Sequence, residues 1–500
     1  MKLTRRNFLG AVGAGTAAAA MPFDLWLEKQ AHAQGVMTRY STASAEGKEM
    51  LKIYAIAVKI MKGRWAGHPH SWTFQWYTHW VNGNTNKTAA LNAVYGNRPP
   101  IERSLAEEMW DTCQGHGPNP VKYFLAWHRM FVFYFEQIIR TTTGINHFTL
   151  PYWPYDETDK RVIPTEFRNG SSSAYGSLYV GNRNSGINEG QSIERYGALD
   201  FKCMTEKSFL EPGGGFNGKL NQNPHGQVHV DVGTSTNMGQ IPYAANDPVF
   251  WTHHCQVDRL WQSWNAAGGK NPDDDNFKNQ KFIFDDGNGM RVVAKISDFL
   301  NISTLNYKYD TLMDIPPIES PMLVASSEKA PAFVAGAMKA AEKHGPATNM
   351  LAAEIPGAIT LGAAPVRIPV NPNAEMVAPM EMLSKAAPAS QNIYLILKDV
   401  YTADSPGVAY GVYLNLPEGA APDPSGEYYI GSINFFNATS MPGMKAMFMT
   451  DSFTFNITDK VKDLDTKQQL SDGINVTLSP FNTPDAKSSP KIGRIEIIVE

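Results

Sequence analysis

Cysteine is scarce in this chain: 500 residues hold three, Cys113, Cys203 and Cys255. An odd count cannot pair off internally, and so few thiols cannot staple a fold of this length, so a disulfide scaffold is excluded. Charge is also thin. Asp, Glu, Lys and Arg make up 18% of the residues and the formal net charge is -4. That leaves no basic excess to hold a nucleic acid. Long apolar runs are missing beyond the N-terminal region: none approaches the ~18 residues that cross a bilayer, so no membrane partner is expected. No repeat at a fixed period is present, which excludes solenoids and propellers.

What the chain has is an apolar, aromatic interior in prospect. Hydrophobic residues are 43%, with 11 Trp, 20 Tyr and 24 Phe. This argues against wholesale disorder, and the length suits two or three domains. The N-terminus reads differently. "LTRRNFLGAVGAGTAAAA" sets Arg5 and Arg6 before Phe8 and Leu9, and Ala31 to Ala33 offer a small-x-small cleavage site. Residues 1–33 are expected to be a twin-arginine export signal. The export machinery is then a partner, and the location is periplasmic or secreted.

Residues 34–314 mix helical patterns with long loops. "EGKEMLKIYAIAVKIMKG" and "WHRMFVFYFEQIIRTTTG" read as helices, the second stopping at Gly144. "DPVFWTHHCQVDRLWQSWNAAGG" reads as a third, with Asp247 as N-cap, Pro248 at the first helical position and Gly268–Gly269 as the stop. Residues 315–390 are rich in Ala, Pro and Ser and read as a partly helical linker. Short alternating runs fill 391–500, among them "NIYLILKDVY", "SFTFNIT" and "INVTLSPF". They predict a C-terminal all-β sandwich or barrel.

The twelve histidines carry the chemistry. His225 and His229 in "NPHGQVHV" are four apart and share a helix face. His128 lies in one apolar helix, and the pair His253 and His254 in another. His79 follows "SWTFQWYT", and His116 sits in "CQGHGPNP". A buried, unpartnered imidazole costs free energy, so these positions call for a ligand or a partner. Two groups emerge: His79, His116 and His128, then His225, His229 and one of the doubled pair. Three neutral imidazoles suit copper, zinc, iron or nickel, and two such groups on facing helices make a dinuclear site. Neighbours on a helix point about 100° apart, so periodicity leaves open whether His253 or His254 takes part.

"FLAWHRMFVFYFE" and "DPVFWTHHCQVD" resemble the two signature segments of the tyrosinase family, the type-3 copper proteins. "LPYWPYDE", "LNYKYD" and the closing "KIGRIEIIVE" extend the likeness over most of the chain. The resemblance implies a mainly α catalytic domain, a four-helix bundle holding two copper ions, followed by the β domain. It assigns His79, His116 and His128 to one copper, and His225, His229 and His254 to the other. His254 is chosen over His253 because the family ligand stands four residues before the aspartate. His68 and His70 in "GHPHSW" are alternatives to His79. Cys113, three residues before His116, is the candidate for a thioether to it. Asp258 is a candidate supporting residue for His254. Gly226, Val230, Ile241 and His253 are expected to line the substrate pocket.

The implied reaction uses O2 to oxidise o-diphenols to o-quinones, with phenols as small-molecule substrates. The residue after His225 is Gly226, where related monophenol hydroxylases carry an Asn, which leans the reading toward diphenols or o-aminophenols. The family also implies a latent proenzyme whose β domain covers the site. Phe448 and Phe453 are the expected plugs, and Met441, Met444, Met447 and Met449 are candidate copper-loading thioethers. A haemocyanin-like O2 carrier and a dizinc hydrolase are the rival readings. The second lacks the bridging carboxylates such sites use.

Overall fold

A computed structural model describes residues 35–318, 350–370 and 392–499, apart from 99, 116–120, 196, 211–214, 439–450, 468 and 470–473. The signal-peptide reading of residues 1–33 lies outside the described residues. The chain forms two compact units, the first running to Ile318 and the second holding the strands from Met350 onward.

The first unit is a helical core. Helix α1 (Ala45–Lys62) opens at Ser44, whose hydroxyl accepts the Gly47 N–H, and buries Met50, Leu51, Tyr54, Val58 and Met61. That spacing is one apolar stripe at helical period. A short helix α2 (Trp72–His79) starts at Ser71, which caps Phe74 in the same way. Helix α3 (Phe124–Thr143) stops at Gly144, whose φ of 74° is the left-handed geometry glycine takes without a steric cost. Helix α4 (Gln227–Val232) follows a kinked segment, Asn221–Gly226, in which Asn223 is extended at φ -147° and ψ 125°. Helix α5 (Val249–Ala266) is buried on almost every face. Its start differs by one residue from the sequence reading: Pro248 is the cap, and Asp247 reaches over it to accept the Val249 N–H at 3.0 Å. Arg183 holds that aspartate in a buried two-pronged pair, both contacts 2.8 Å.

Aromatic rings lock the three long helices together. Phe135 of α3 stacks on Trp251 of α5 at 3.4 Å between centroids, and Tyr54 of α1 meets Phe135 edge-on. Strand β1 (Met37–Arg39) pairs in parallel with β4 (Tyr307–Tyr309), joining the two ends of this unit. Strands β2 (Lys281–Asp285) and β3 (Arg291–Lys295) form a hairpin between them.

The second unit holds two antiparallel four-stranded sheets. Their strands are β5 (Met350–Thr360), β6 (Val366–Val370), β7 (Ile393–Tyr401), β8 (Tyr410–Leu414), β9 (Tyr429–Ile433), β10 (Asp451–Asn456), β11 (Ile474–Pro480) and β12 (Lys491–Val499). The orders are β10-β7-β12-β5 and β6-β11-β8-β9. Each sheet keeps two edges, so neither closes into a barrel. Residues 315–390 are therefore not all linker, since β5 and β6 lie inside that span. Their prolines hid them. Pro356 falls beside a register shift and Pro369 in an edge strand, the two places where a sheet tolerates a residue with no N–H. No helix among the described residues is long and apolar enough to cross a membrane.

Candidate metal centre

Two donor groups sit in the helical unit. Ligand atoms of His79, Cys113 and His128 lie within 4.8 Å of one another, and so do those of His225, His229, His253 and His254. The groups adjoin: the rings of His128 and His254 stack at 4.3 Å and 13°. All seven side chains are buried.

Local backbone fixes several of these rings. The Nδ1 of His128 meets the Phe124 carbonyl at 2.8 Å, and that of His225 meets the Asn221 carbonyl at 3.0 Å. The Nδ1 of His229 meets the Met238 carbonyl at 2.9 Å. A carbonyl only accepts, so in each neutral ring Nδ1 carries the proton and Nε2 keeps its lone pair for a metal. The backbone kinks at Asn223 just before His225, and the rings of His225 and His229 lie 4.6 Å apart. The ring of Phe124 lies against both groups, 4.7 Å from His128 and 4.6 Å from His225. Phe250 closes the other side, 4.9 Å from His79 and 4.1 Å from His254.

This donor set suits copper. The donors are buried imidazole nitrogens, one thiol sulfur stands among them, and among the described residues no carboxylate joins either group. Burial pushes His253 down to about 3 from an ordinary 6.5. Burial, then the neighbouring His128, His225, His253 and His229, hold His254 well below that value. The unfolded chain therefore takes up protons first as pH falls. The copper-free protein is expected to lose up to about 1.4 kcal/mol per pH unit for each such imidazole, starting below about pH 6.5. A melting temperature that stays flat from pH 7 to 4.5 would contradict this.

Among the sequence candidates, His79, His128, His225, His229 and His254 all reach the centre. His116 lies outside the described residues, and with it the thioether to Cys113. The Cys113 sulfur is 3.4 Å from Nε2 of His128, and burial raises its thiol well above the usual range. His68 and His70 do not substitute for His79. His70 faces Asp285 at 3.1 Å, and His68 accepts the His70 N–H. Gly226, Val230 and Ile241 are all buried, Gly226 at the end of the kinked segment directly after His225. Phe448 and the four methionines at 441, 444, 447 and 449 lie outside the described residues. Phe453 is an inward position of the second unit's own sheet, paired with Leu397 and 2% exposed.

Asp258 needs correction. It makes no hydrogen bond to His254, whose two nitrogens have no hydrogen-bond partner among the described residues. Instead it gathers Arg39 at 2.9 Å, Tyr307 at 2.7 Å, Tyr309 at 2.6 Å and the Arg129 guanidinium. Burial alone would raise its carboxyl, but Arg129 and Arg39 outweigh that and hold it below the ordinary carboxylate value. Glu136 completes the set with two contacts to Arg39, at 3.0 and 2.8 Å. Sequence reasoning missed Arg39 and Glu136. Neither lies near a histidine of interest in the sequence, and a lone arginine carries no motif.

Comparison with known proteins follows the same lines. The common central domain of tyrosinase matches residues 69–207 and 180–267, and a domain of unknown function matches 347–500. The tyrosinase HcTyr1 of Hahella sp. (strain CCB-MM4) is 28% identical over 489 residues, covering 90% of this chain and 96% of that protein. The chloroplastic polyphenol oxidase A1 of Vicia faba is 26% identical over 75% of this chain, which spans only 66% of its length. Among solved structures, latent apple tyrosinase shares the fold at a TM-score of 0.61 and 20% identity, covering 93% of this chain and 97% of that one. The family model and the curated relatives agree: this chain carries the common central domain of the tyrosinase family over residues 69–267 and is a copper-dependent oxidoreductase.

Proposed function

We propose that the centre holds two copper ions and oxidises o-diphenols to o-quinones with O2. The observation that carries this reading is the stack of His128 on His254, which brings two histidine groups into one buried pocket. When bound, a copper pair supplies two-electron exchange with O2 and with a diphenol. Overall, two diphenols and one O2 give two quinones and two waters.

The chain's own part is placement. His79, His116 and His128 hold one ion, and His225, His229 and His254 the other. The Phe124, Asn221 and Met238 carbonyls fix three of those rings, so little reorganisation remains when metal binds. Phe124 and Phe250 wall the pocket and exclude water from it. Gly226 offers no side chain to hold a water against a phenol. This favours diphenols or o-aminophenols over monophenol hydroxylation.

The protein is exported through the twin-arginine route, which carries folded proteins, and the second unit keeps it latent. Arg5 and Arg6 support the first point. The likeness to latent apple tyrosinase over 93% of this chain supports the second.

Oxygen uptake by the copper-loaded chain tests this, measured with catechol, 2-aminophenol and tyrosine before and after limited proteolysis. Uptake is expected with catechol, rising after proteolysis, and little with tyrosine. Gly226→Asn is expected to raise the tyrosine rate relative to the catechol rate. Absence of uptake with every substrate, copper being present, would overturn the enzyme reading in favour of an O2 carrier.

A further inference from the structure

His253 is fully buried, and neither of its ring nitrogens has a hydrogen-bond partner among the described residues. Leaving such a group dry and unpaired costs free energy, so the site has to offer it something. What surrounds it is the second histidine group. It lies flat on His225 at 5.3 Å and 10°, and edge-on to His229 at 4.8 Å and to His254 at 5.0 Å. One nitrogen from each of these four rings falls within 4.8 Å of the other three. A tetrahedral ion with nitrogens at about 2.0–2.1 Å sets them roughly 3.4 Å apart, so modest ring rotations close the set. The one aromatic hydroxyl ring beside it, Tyr155, is 5.5 Å away between centroids and makes no hydrogen bond to it.

We propose that the second subsite is a four-imidazole position. His253 joins His225, His229 and His254 to hold a single copper ion when that subsite is filled alone. The inference rests on the copper reading above and adds a donor to it. Among the described residues neither histidine group contains a carboxylate, so an imidazole is the protein donor at hand for the fourth position of a lone ion. His253 is the only further imidazole in that group. Its role is to capture and retain the ion during loading; with both subsites full, His225, His229 and His254 hold the ion, because His254 is the ring set against His128 of the other group.

The test confines metal to the second subsite with His79→Ala, in the full-length chain stripped of copper. One equivalent of Cu(II) is added and the coordinated imidazoles are counted by pulsed EPR. Four are expected, and a count of three would overturn the proposal. Cu(I) affinity is then read by competition with a chromophoric chelator, with and without His253→Gln, which keeps a polar group in the cavity. A 10- to 100-fold loss is expected, on the scale seen when metal sites lose a supporting group. Unchanged affinity would overturn the proposal while leaving the copper reading intact. Failure of the unsubstituted chain to bind copper at all would overturn both. The imidazole count is made with His253 in place, so it stands even where His253→Gln does not fold.

Discussion

Asp258→Ala is expected to cost the helical unit about 3–5 kcal/mol, the range seen when one partner of a buried ion pair is removed. The magnitude follows from what is stranded. Asp258 accepts hydrogen bonds from Arg39, Tyr307 and Tyr309 and pairs with Arg129. Without it, Arg39 keeps Glu136, and Arg129 keeps the Phe299 carbonyl and the face of Trp261. Arg129, essentially buried, is left without a counter-ion. The two tyrosines lose a charged acceptor. Asp258→Asn removes the charge but keeps the shape, so it is expected to fall between Asp258→Ala and Tyr309→Phe, which should cost about 1–2 kcal/mol. Guanidinium unfolding of the copper-free chain gives the ordering. A loss below 1 kcal/mol for Asp258→Ala would show that the network is a bystander. Because the Asp258 carboxyl is held below its ordinary value, the stability it adds is present above about pH 4 and lost as pH falls further.

That network also shows where sequence reasoning stops. Arg39 and Glu136 are 97 residues apart, and Arg39 and Asp258 are 219 apart. No local period links such positions, so only the folded chain reveals that β1 and β4 are clamped to α3 and α5. The helices themselves were legible, because Ser44, Gly144 and the Asp247–Pro248 start are local signals at their ends. The clustering of His79, His128, His225, His229 and His254 was legible for a related reason: their spacing and signature segments are short-range features. His253 was not. A 100° step between neighbours suggests that only one ring reaches a given point. Long imidazole arms and the ring turns at 253 and 254 bring both into one group, with centroids 5.0 Å apart. In the second unit, β5 and β6 were masked by prolines that only their edge positions and a register shift make acceptable.

His254→Ala is expected to abolish oxygen uptake and to cut bound copper from two ions per chain to one. His254 is the hinge of the centre. It stacks on His128 of the other group at 4.3 Å and packs against Phe250 at 4.1 Å. Its removal leaves His225, His229 and His253, but it takes away the ring that stacks on His128, so an ion captured by those three is not seated against the first group and is expected to wash out on dialysis. The first subsite keeps His79, His128 and the carbonyl of Phe124 that orients His128. It should therefore still load one ion, though without a second ion there is no two-electron exchange with O2. His253→Ala makes the sharper contrast. At saturating copper it should still carry two ions, because His225, His229 and His254 all remain, and should show its defect only when copper is limiting. Metal analysis after exhaustive dialysis separates the two variants. Two ions retained by His254→Ala would mean that His253 or another group replaces it fully, and that the choice between the doubled histidines was made the wrong way round.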